Sequence, residues 1–286
     1  MINNRKRLVQ IITDSTSDVR PALWAKLGVT VLPLSVNFED KSYLDGIELT
    51  VDEFFEMLAN ADKLPTTSQI NPDAFSRVFK EYTDSGDDVV GIFISSKLSG
   101  TCNSAVIAAQ EVNPDKVFVV DSKIGTFGLA IIIYEAVKMR DAGMSAAEIA
   151  HNVIKLTTRV RLVAMVDTLK YLRMGGRIST VSAILGGVLG IKPIVDVRDG
   201  LIHNISKVRG KNSAMQFILK YLNDYPIDTD LTFSIGHSNA RQEYDNLRGF
   251  LEPHIPVDKA LVGEIGSVIG TYIGPGAFGI AYFEKV

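Results

Sequence analysis

Residues 89–101, VVGIFISSKLSGT, decide how this chain is read. The run at 89–94 is short, apolar and flanked by polar clusters, which marks a buried strand and not a helix. The hydroxyl-rich stretch after it ends in Ser99-Gly100-Thr101, where a helix is expected to open and run to about residue 110. A strand followed by a polar turn and a helix is the repeating unit of a parallel sheet, and the turn at the strand's carboxyl end is where such sheets hold ligands.

Working outward, the same unit recurs. Residues 8–13 (LVQIIT), 29–36 and 117–120 read as further strands. Helices are expected from near Val19, over 51–59 with Thr50 as N-cap, from Asn71-Pro72 to near Gly86, over 125–142, and from the Ser145 cap toward Leu156. Thr50 with Asp52 and Glu53 behind it suits a helix start, as does Pro72 at the first helical position. Strands alternating with helices imply a mainly parallel sheet covered on both faces.

Past residue 160 the pattern changes. Segments 163–167, 194–197, 202–206, 231–237 and 279–283 read as strands, and Asp199-Gly200 has the residues of a tight hairpin turn. A hairpin means antiparallel pairing. The fold class expected is therefore α/β in two domains: residues 1–160 with a parallel sheet, and 161–286 as α+β with antiparallel strands.

Composition narrows the function classes. Of 286 residues, 46% are hydrophobic and 22% charged, which fits a packed globular protein. A net charge of −3 with scattered Lys and Arg gives no general attraction to nucleic acid. Cys102 is the only cysteine, so no disulfide forms within the chain. His151, His203, His237 and His254 are too far apart in sequence to read as a metal motif. Residues 1–10, with Arg5, Lys6 and Arg7, have no signal-peptide cleavage pattern, and the longest apolar run, 181–191, is too short to span a bilayer, so the cytoplasm is the expected location.

Several segments carry polar groups that suit a ligand. Ser96, Ser99 and Thr101 offer hydroxyls, Gly100 permits close backbone approach, and the N–H groups of a helix start attract a carboxylate or phosphate. The alternative is that Ser99 only caps its helix. Residues 65–69 (PTTSQ) form a second hydroxyl cluster with Thr66 and Thr67, either an ordinary polar loop or part of the same anion site. Arg173-Met174-Gly175-Gly176-Arg177 is a basic glycine-rich turn leading into the apolar, glycine-containing run 180–190, which leaves room for a neighbouring backbone or an acyl chain. Arg209 and Lys211 add positive charge. Gly274-Pro275-Gly276 must turn sharply, and Tyr272 before it is either a fixed donor or a packed aromatic. Asp14 and Asp121, each before a serine at a strand end, resemble acid–base or metal positions but suit turn capping as well. No nucleotide-binding glycine motif and no serine-hydrolase elbow is present.

Taken in order, residues 13–18 (TDSTSD), 66–69 (TTSQ), 95–104 (SSKLSGTCNS), Asp121-Ser122, Gly175-Gly176-Arg177-Ile178 and Gly274-Pro275-Gly276 resemble the DegV family of fatty-acid-binding proteins, which includes the FakB-type subunits of bacterial fatty acid kinase. The resemblance covers essentially the whole chain. It implies the two-domain DegV-like (EDD-type) fold and a buried long-chain fatty acid, with no other cofactor, no metal and no catalysis by the chain alone. It further implies that Thr67 and Ser99 hold the carboxylate, supported by Thr66, Ser96, Gly100 and Thr101, and that Arg177 and Arg209 present the head group or dock a partner. That partner would be a separate ATP-dependent kinase subunit, and lipid exchange would bring transient membrane contact. Where the family often has histidine, this chain has Tyr272, which can donate to a carboxylate but carries no positive charge near neutral pH. The rival reading is a self-sufficient hydrolase or phosphotransferase using Ser99.

Overall fold

The computed structural model describes residues 8–178 and 190–286. The chain opens with β1 (Val9–Asp14), a short 3₁₀ turn at Ser15–Ser17, α1 (Pro21–Leu27) and β2 (Val29–Leu32). The sequence predicts one strand over 29–36, and the structure divides it. Pro33 has no N–H for a ladder, and beyond it the chain enters a different sheet as β3 (Ser35–Phe38), turning back as β4 (Lys41–Leu44).

Next come α2 (Val51–Asn60), β5 (Thr66–Ser68), α3 (Pro72–Asp84), β6 (Asp88–Phe93), α4 (Thr101–Val112), β7 (Val117–Asp121), α5 (Thr126–Asp141) and α6 (Ala146–Thr157). The predicted caps form: Thr50 and Glu53 make a reciprocal capping box, Ser145 and Glu148 another, and the Asn71 side chain accepts from Ala74 N. The hydroxyl cluster at 65–69 is not a plain loop. Thr66 to Ser68 pair antiparallel with β3, Thr67 opposite Val36.

The rest of the chain forms β8 (Val160–Met165), α7 (Lys170–Met174), β9 (Ile191–Arg198), β10 (Leu201–Arg209), α8 (Gly210–Asp224), β11 (Ser234–Ser238), α9 (Arg241–Leu251), β12 (Leu261–Glu264), α10 (Ser267–Ile273) and β13 (Ala277–Phe283). The β9–β10 hairpin turns at Asp199 and Gly200, both at positive φ (51° and 81°), as the tight turn requires. The apolar run 180–190 lies, apart from Gly190, outside the described residues, as do the basic residues at 5–7.

The first sheet has the order β2-β1-β6-β7 and is wholly parallel; the second, β10-β9-β8-β13-β11-β12, is antiparallel except for its last pair. Strand periodicity sorts the core. In the first sheet Ile11, Val90 and Ile92 face α5 and α6, while Ile12, Val89 and Phe93 face α3 and α4. In the second sheet Leu162, Ala164 and Ala281 point to α5, and Val163, Met165 and Ile280 pack under α8 and α9. Helix α5 is therefore covered on all sides, with residues 127–133 buried throughout, as expected for a helix apolar around its circumference. It is the layer shared by the two sheets.

One late element crosses to the first half. Helix α10 packs on α2, β3 and β5, its Gly270 so close to Phe54 that a Cβ there would lie 2.6 Å from the ring. Its N-terminus is tied by buried carboxyls: Gly266 N donates to Asp18 Oδ1 (3.0 Å), while Ser267 N and Oγ donate to Asp45 Oδ1 (3.1 and 2.5 Å). Burial pushes both carboxyls above their ordinary range, Asp18 well above it, since an ion there loses its hydration.

Candidate ligand-binding site

Three loops and α10 converge on a cleft of about 610 Å³. It begins at the strand–turn–helix unit whose sequence suggested it. At the end of β6 the chain is pinned to its neighbours: Asp14 Oδ2 accepts from Ile94 N (2.8 Å), and Ser95 Oγ donates to Gly200 O at the tip of the β9–β10 hairpin (2.9 Å). Ser99 Oγ then accepts from Thr101 N (3.3 Å) and shares a hydrogen bond with Thr101 Oγ1 (3.0 Å). Ser99 thus caps the turn and also lines the cleft, so the two readings of it are compatible.

Gly100 is required by packing. A Cβ at this position would lie 1.9 Å from Gln69 Oε1. Gln69, whose Nε2 donates to Ser104 Oγ (3.0 Å), lines the cleft beside Ser99 and Gly100. Strand β5 delivers Thr67 to the opposite wall. Its hydroxyl meets the Tyr272 hydroxyl at 2.6 Å, across 205 residues of sequence.

Tyr272 is held on every side. The chain after α10 is anchored where Ser238 Oγ donates to Gly274 O (2.5 Å) and Gly276 N donates to Ser238 O (2.7 Å). The ring lies against Gly175, where a Cβ would come within 2.2 Å of it, and the Arg177 guanidinium sits 4.7 Å from the ring centre, within cation–π range. Arg177 also donates to Gly175 O (2.6 Å) and Leu98 O (3.4 Å). The Gly-Gly-Arg and Gly-Pro-Gly motifs, about a hundred residues apart, therefore build one feature.

Thr67, Ser99, Gly100, Arg177 and Tyr272 all line this cleft. The other residues singled out do not. Ser96 is committed to Asp121, its Oγ donating at 2.5 Å and its N at 3.2 Å. Thr101 is fully buried behind Ser99. Thr66 lines an outer groove with Met174 and Gly175, a groove that Thr67, Arg177 and Tyr272 also border. Arg209 is exposed at the far end of β10, about 23 Å along the strand from Ile202, which lines the cleft. It is too remote to touch a head group there. Asp14 and Asp121 serve as turn caps, accepting from Thr16 N and Lys123 N respectively. Among the described residues, no group of His, Cys, Asp or Glu is placed to hold a metal ion.

An apolar cavity adjoins the cleft. Leu98, Ile202, Ile269 and Ile273 line both the cleft and this cavity, of about 570 Å³, between α5 and the second sheet. The wall of that cavity includes Phe127, Leu162, Ala164, Val166, Val195, Val197, Ile265 and Ala277 and is almost wholly apolar. Among the described residues the cleft has hydroxyls and one cation, Arg177, in its wall, and the adjoining cavity is lined by hydrocarbon. Among the described residues no histidine, aspartate or glutamate lines either part, so none of them stands as a general base for Ser99 in the wall. Gln69 and the apolar face of α10 were not assigned a role from the sequence; the first is visible there as part of the 65–69 cluster, the second only as helical spacing.

Comparison with known proteins settles the ancestry. The model of the DegV family, described as an uncharacterised protein family, matches residues 8–285. This chain belongs to the DegV family. A DegV domain-containing protein of Caldanaerobacter subterraneus subsp. tengcongensis is 35% identical over 278 residues, covering 97% of this chain and 99% of its own. Among solved structures, a DegV family protein of Thermus thermophilus described by its fatty acid binding superposes with a TM-score of 0.89 at 33% identity, covering 97% of this chain and all of that one. A stearic acid-binding protein of Eubacterium ventriosum matches with a TM-score of 0.84 at 29% identity, covering 97% and 99%. The fold class is that of these DegV structures: two domains, a parallel sheet with helices on both faces followed by a mainly antiparallel sheet. No helix among the described residues is long and apolar enough to cross a membrane.

Proposed function

We propose that this DegV-family protein binds a long-chain fatty acid, with the carboxylate in the cleft and the tail in the apolar cavity. The observation that carries this is that the polar cleft and the apolar cavity adjoin, with Leu98, Ile202, Ile269 and Ile273 in the walls of both. A polar mouth on a hydrocarbon interior matches a molecule with one anionic end. Thr67, Ser99 and Tyr272 would donate to the carboxylate, and Arg177 would offset its charge. Each buried methylene contributes about 0.8 kcal/mol, so the tail supplies most of the affinity. The hydroxyls chiefly remove the cost of an unpaired buried carboxylate.

The same arrangement supports a second step carried out by another protein. Thr67, Arg177 and Tyr272 stand between the cleft and the outer groove. A carboxylate held by them is one side chain away from that groove. A separate ATP-dependent kinase subunit docking there would reach it to form an acyl phosphate, and the exposed Arg209 is free of the head-group cleft to serve as a docking contact.

The test of binding is direct. Purified protein is denatured, and the organic extract is analysed by mass spectrometry for fatty acids in stoichiometric amount. Protein that yields none, and that takes up none when offered, refutes the reading. The kinase step is tested separately, by acyl-phosphate formation when a kinase subunit and ATP are added.

A further inference from the structure

The register of the second sheet sets a row of very small residues across it. Gly263 of β12 is opposite Gly236 of β11, Gly236 opposite Gly279 of β13, Gly279 opposite Ala164 of β8, and Ala164 opposite Val195 of β9. Residues directly opposite one another project from the same face. This is the face turned toward α5, which carries Leu162, Ala164, Val195 and Ala281. The row is a trough running perpendicular to the strands.

The apolar cavity follows that trough and then stops. Among the described residues its wall takes Ile202 from β10, Val195 and Val197 from β9, Leu162 and Ala164 from β8, Ala277 from β13 and Gly236 from β11, with Ile265 just after β12 but no residue of β12 itself. Four interstrand steps separate β10 from β11, about 19 Å in all. What ends the space is Phe127. A Cβ on Gly236 would lie 2.3 Å from its ring, and one on Gly263 would lie 2.5 Å from its side chain. The ring therefore occupies the last part of the trough. It is buried, its own carbonyl accepts from Ser234 Oγ (2.9 Å), and Thr126 before it has a left-handed backbone (φ 52°), uncommon for a β-branched residue.

We infer that Phe127 is the stop that sets the longest acyl chain this protein holds, with Ala164 and Gly236 forming the low floor along which the tail lies. This rests on the fatty-acid reading of the site and adds its specificity. The polar mouth lies at the β10 side, where Ile202 borders both spaces, and Phe127 lies at the opposite end. A tail enters over β10 and meets the ring over β11.

The experiment measures the affinity of delipidated protein for saturated acids from ten to twenty carbons, for the wild type, Phe127→Leu and Ala164→Val. In the wild type, affinity should rise about fourfold per added carbon until the tail reaches Phe127, then fall. Phe127→Leu should move that break about two carbons longer, since it lengthens the space by less than a ring, and Ala164→Val should move it shorter by filling the trough. Ala164→Val reports even if Phe127→Leu fails to fold, which circular dichroism and thermal unfolding will reveal. A break at the wild-type length in a folded variant, or affinity that climbs through twenty carbons in the wild type, overturns the inference while leaving fatty-acid binding intact. If the wild type binds no acid of any length, the parent reading falls and this one with it.

Discussion

The hydroxyl of Tyr272 offers the sharpest test of the head-group cleft. Tyr272→Phe removes a single oxygen and keeps the ring, so the contacts with Gly175 and the Arg177 guanidinium survive. In the ligand-free protein the lost contact is one half-buried hydrogen bond to Thr67, 2.6 Å long. Such a bond contributes about 1 kcal/mol to stability, a fall of about 2 °C in the unfolding midpoint for a chain of this size. In the complex the hydroxyl would donate to a carboxylate, a bond worth about 1.5–3 kcal/mol. Affinity for a saturated acid should therefore fall about 10- to 100-fold. The increment per methylene should not change, because the tail cavity is untouched. Calorimetric titration of delipidated protein with two acids differing by two carbons measures both quantities. The Thr67→Val change completes a double-mutant cycle. If both hydroxyls grip one carboxylate, the two losses should be non-additive by more than about 0.5 kcal/mol. A folded Tyr272→Phe protein whose affinity changes less than threefold refutes the placement of the carboxylate.

Three further outcomes are expected. Burial raises Asp14 to about 6 and pushes Asp18 and Asp45 upward as well, so their neutral forms favour the fold. That contribution is complete below the unfolded value near 3.8 and is lost as pH rises through the folded values. His237, held below its ordinary range by burial, acts oppositely over part of this window. In a His237→Gln background the unfolding midpoint should therefore rise as pH is lowered from about 7.5 to 5, by about 1 kcal/mol from Asp14 alone; a fall on acidification would contradict this. Gly270→Val sets branched carbon against the Phe54 ring and should cost about 1–3 kcal/mol, with acid binding weakened because α10 carries Ile269, Tyr272 and Ile273; denaturant midpoints and titrations check both, and an unchanged midpoint counts against the close packing. Arg209→Ala should leave acid affinity within twofold while lowering the rate of acyl-phosphate formation with an added kinase subunit, and equal loss of binding and transfer would show that the residue acts in the head-group cleft after all.

Local signals carried much of the architecture. The β6–α4 unit, the capping boxes at Thr50 and Ser145, and the Asp199-Gly200 turn depend on neighbours in sequence, and each formed as its residues indicate. The division of 29–36 was harder to foresee, although Pro33 is the visible cause. At the site, Thr67, Ser99 and Tyr272 stood out as hydroxyls flanking turns, and family resemblance linked them. Ser96 was indistinguishable from Ser99 in sequence, because nothing local indicates that Asp121 takes its hydroxyl. Arg209 was left with two roles, presenting the head group or docking a partner, because a basic residue at a strand end has no mark showing which end of the hairpin faces the cleft; its place at the far end of β10 removes it from the cleft.

By itself, the sequence determined most strands and helices of the first half, that the first sheet is parallel, and that hydroxyls cluster at its carboxyl edge; it marked strands but none of the helices past residue 160, and it missed β4, β5 and β12. What it determined follows from periodicity, capping and turn chemistry, which act over a few residues. Only the tertiary structure decided that the edge is a mouth. The Thr67–Tyr272 contact spans 205 residues, the Gly175–Tyr272 contact nearly a hundred, and the row of small residues beside the apolar cavity exists only because five strands share one register. Glycine at positions 236, 263 and 279 reads in sequence as flexibility. In the sheet it is close approach, because Phe127 lies over positions 236 and 263 and Ala164 against 279, and only glycine leaves them that room.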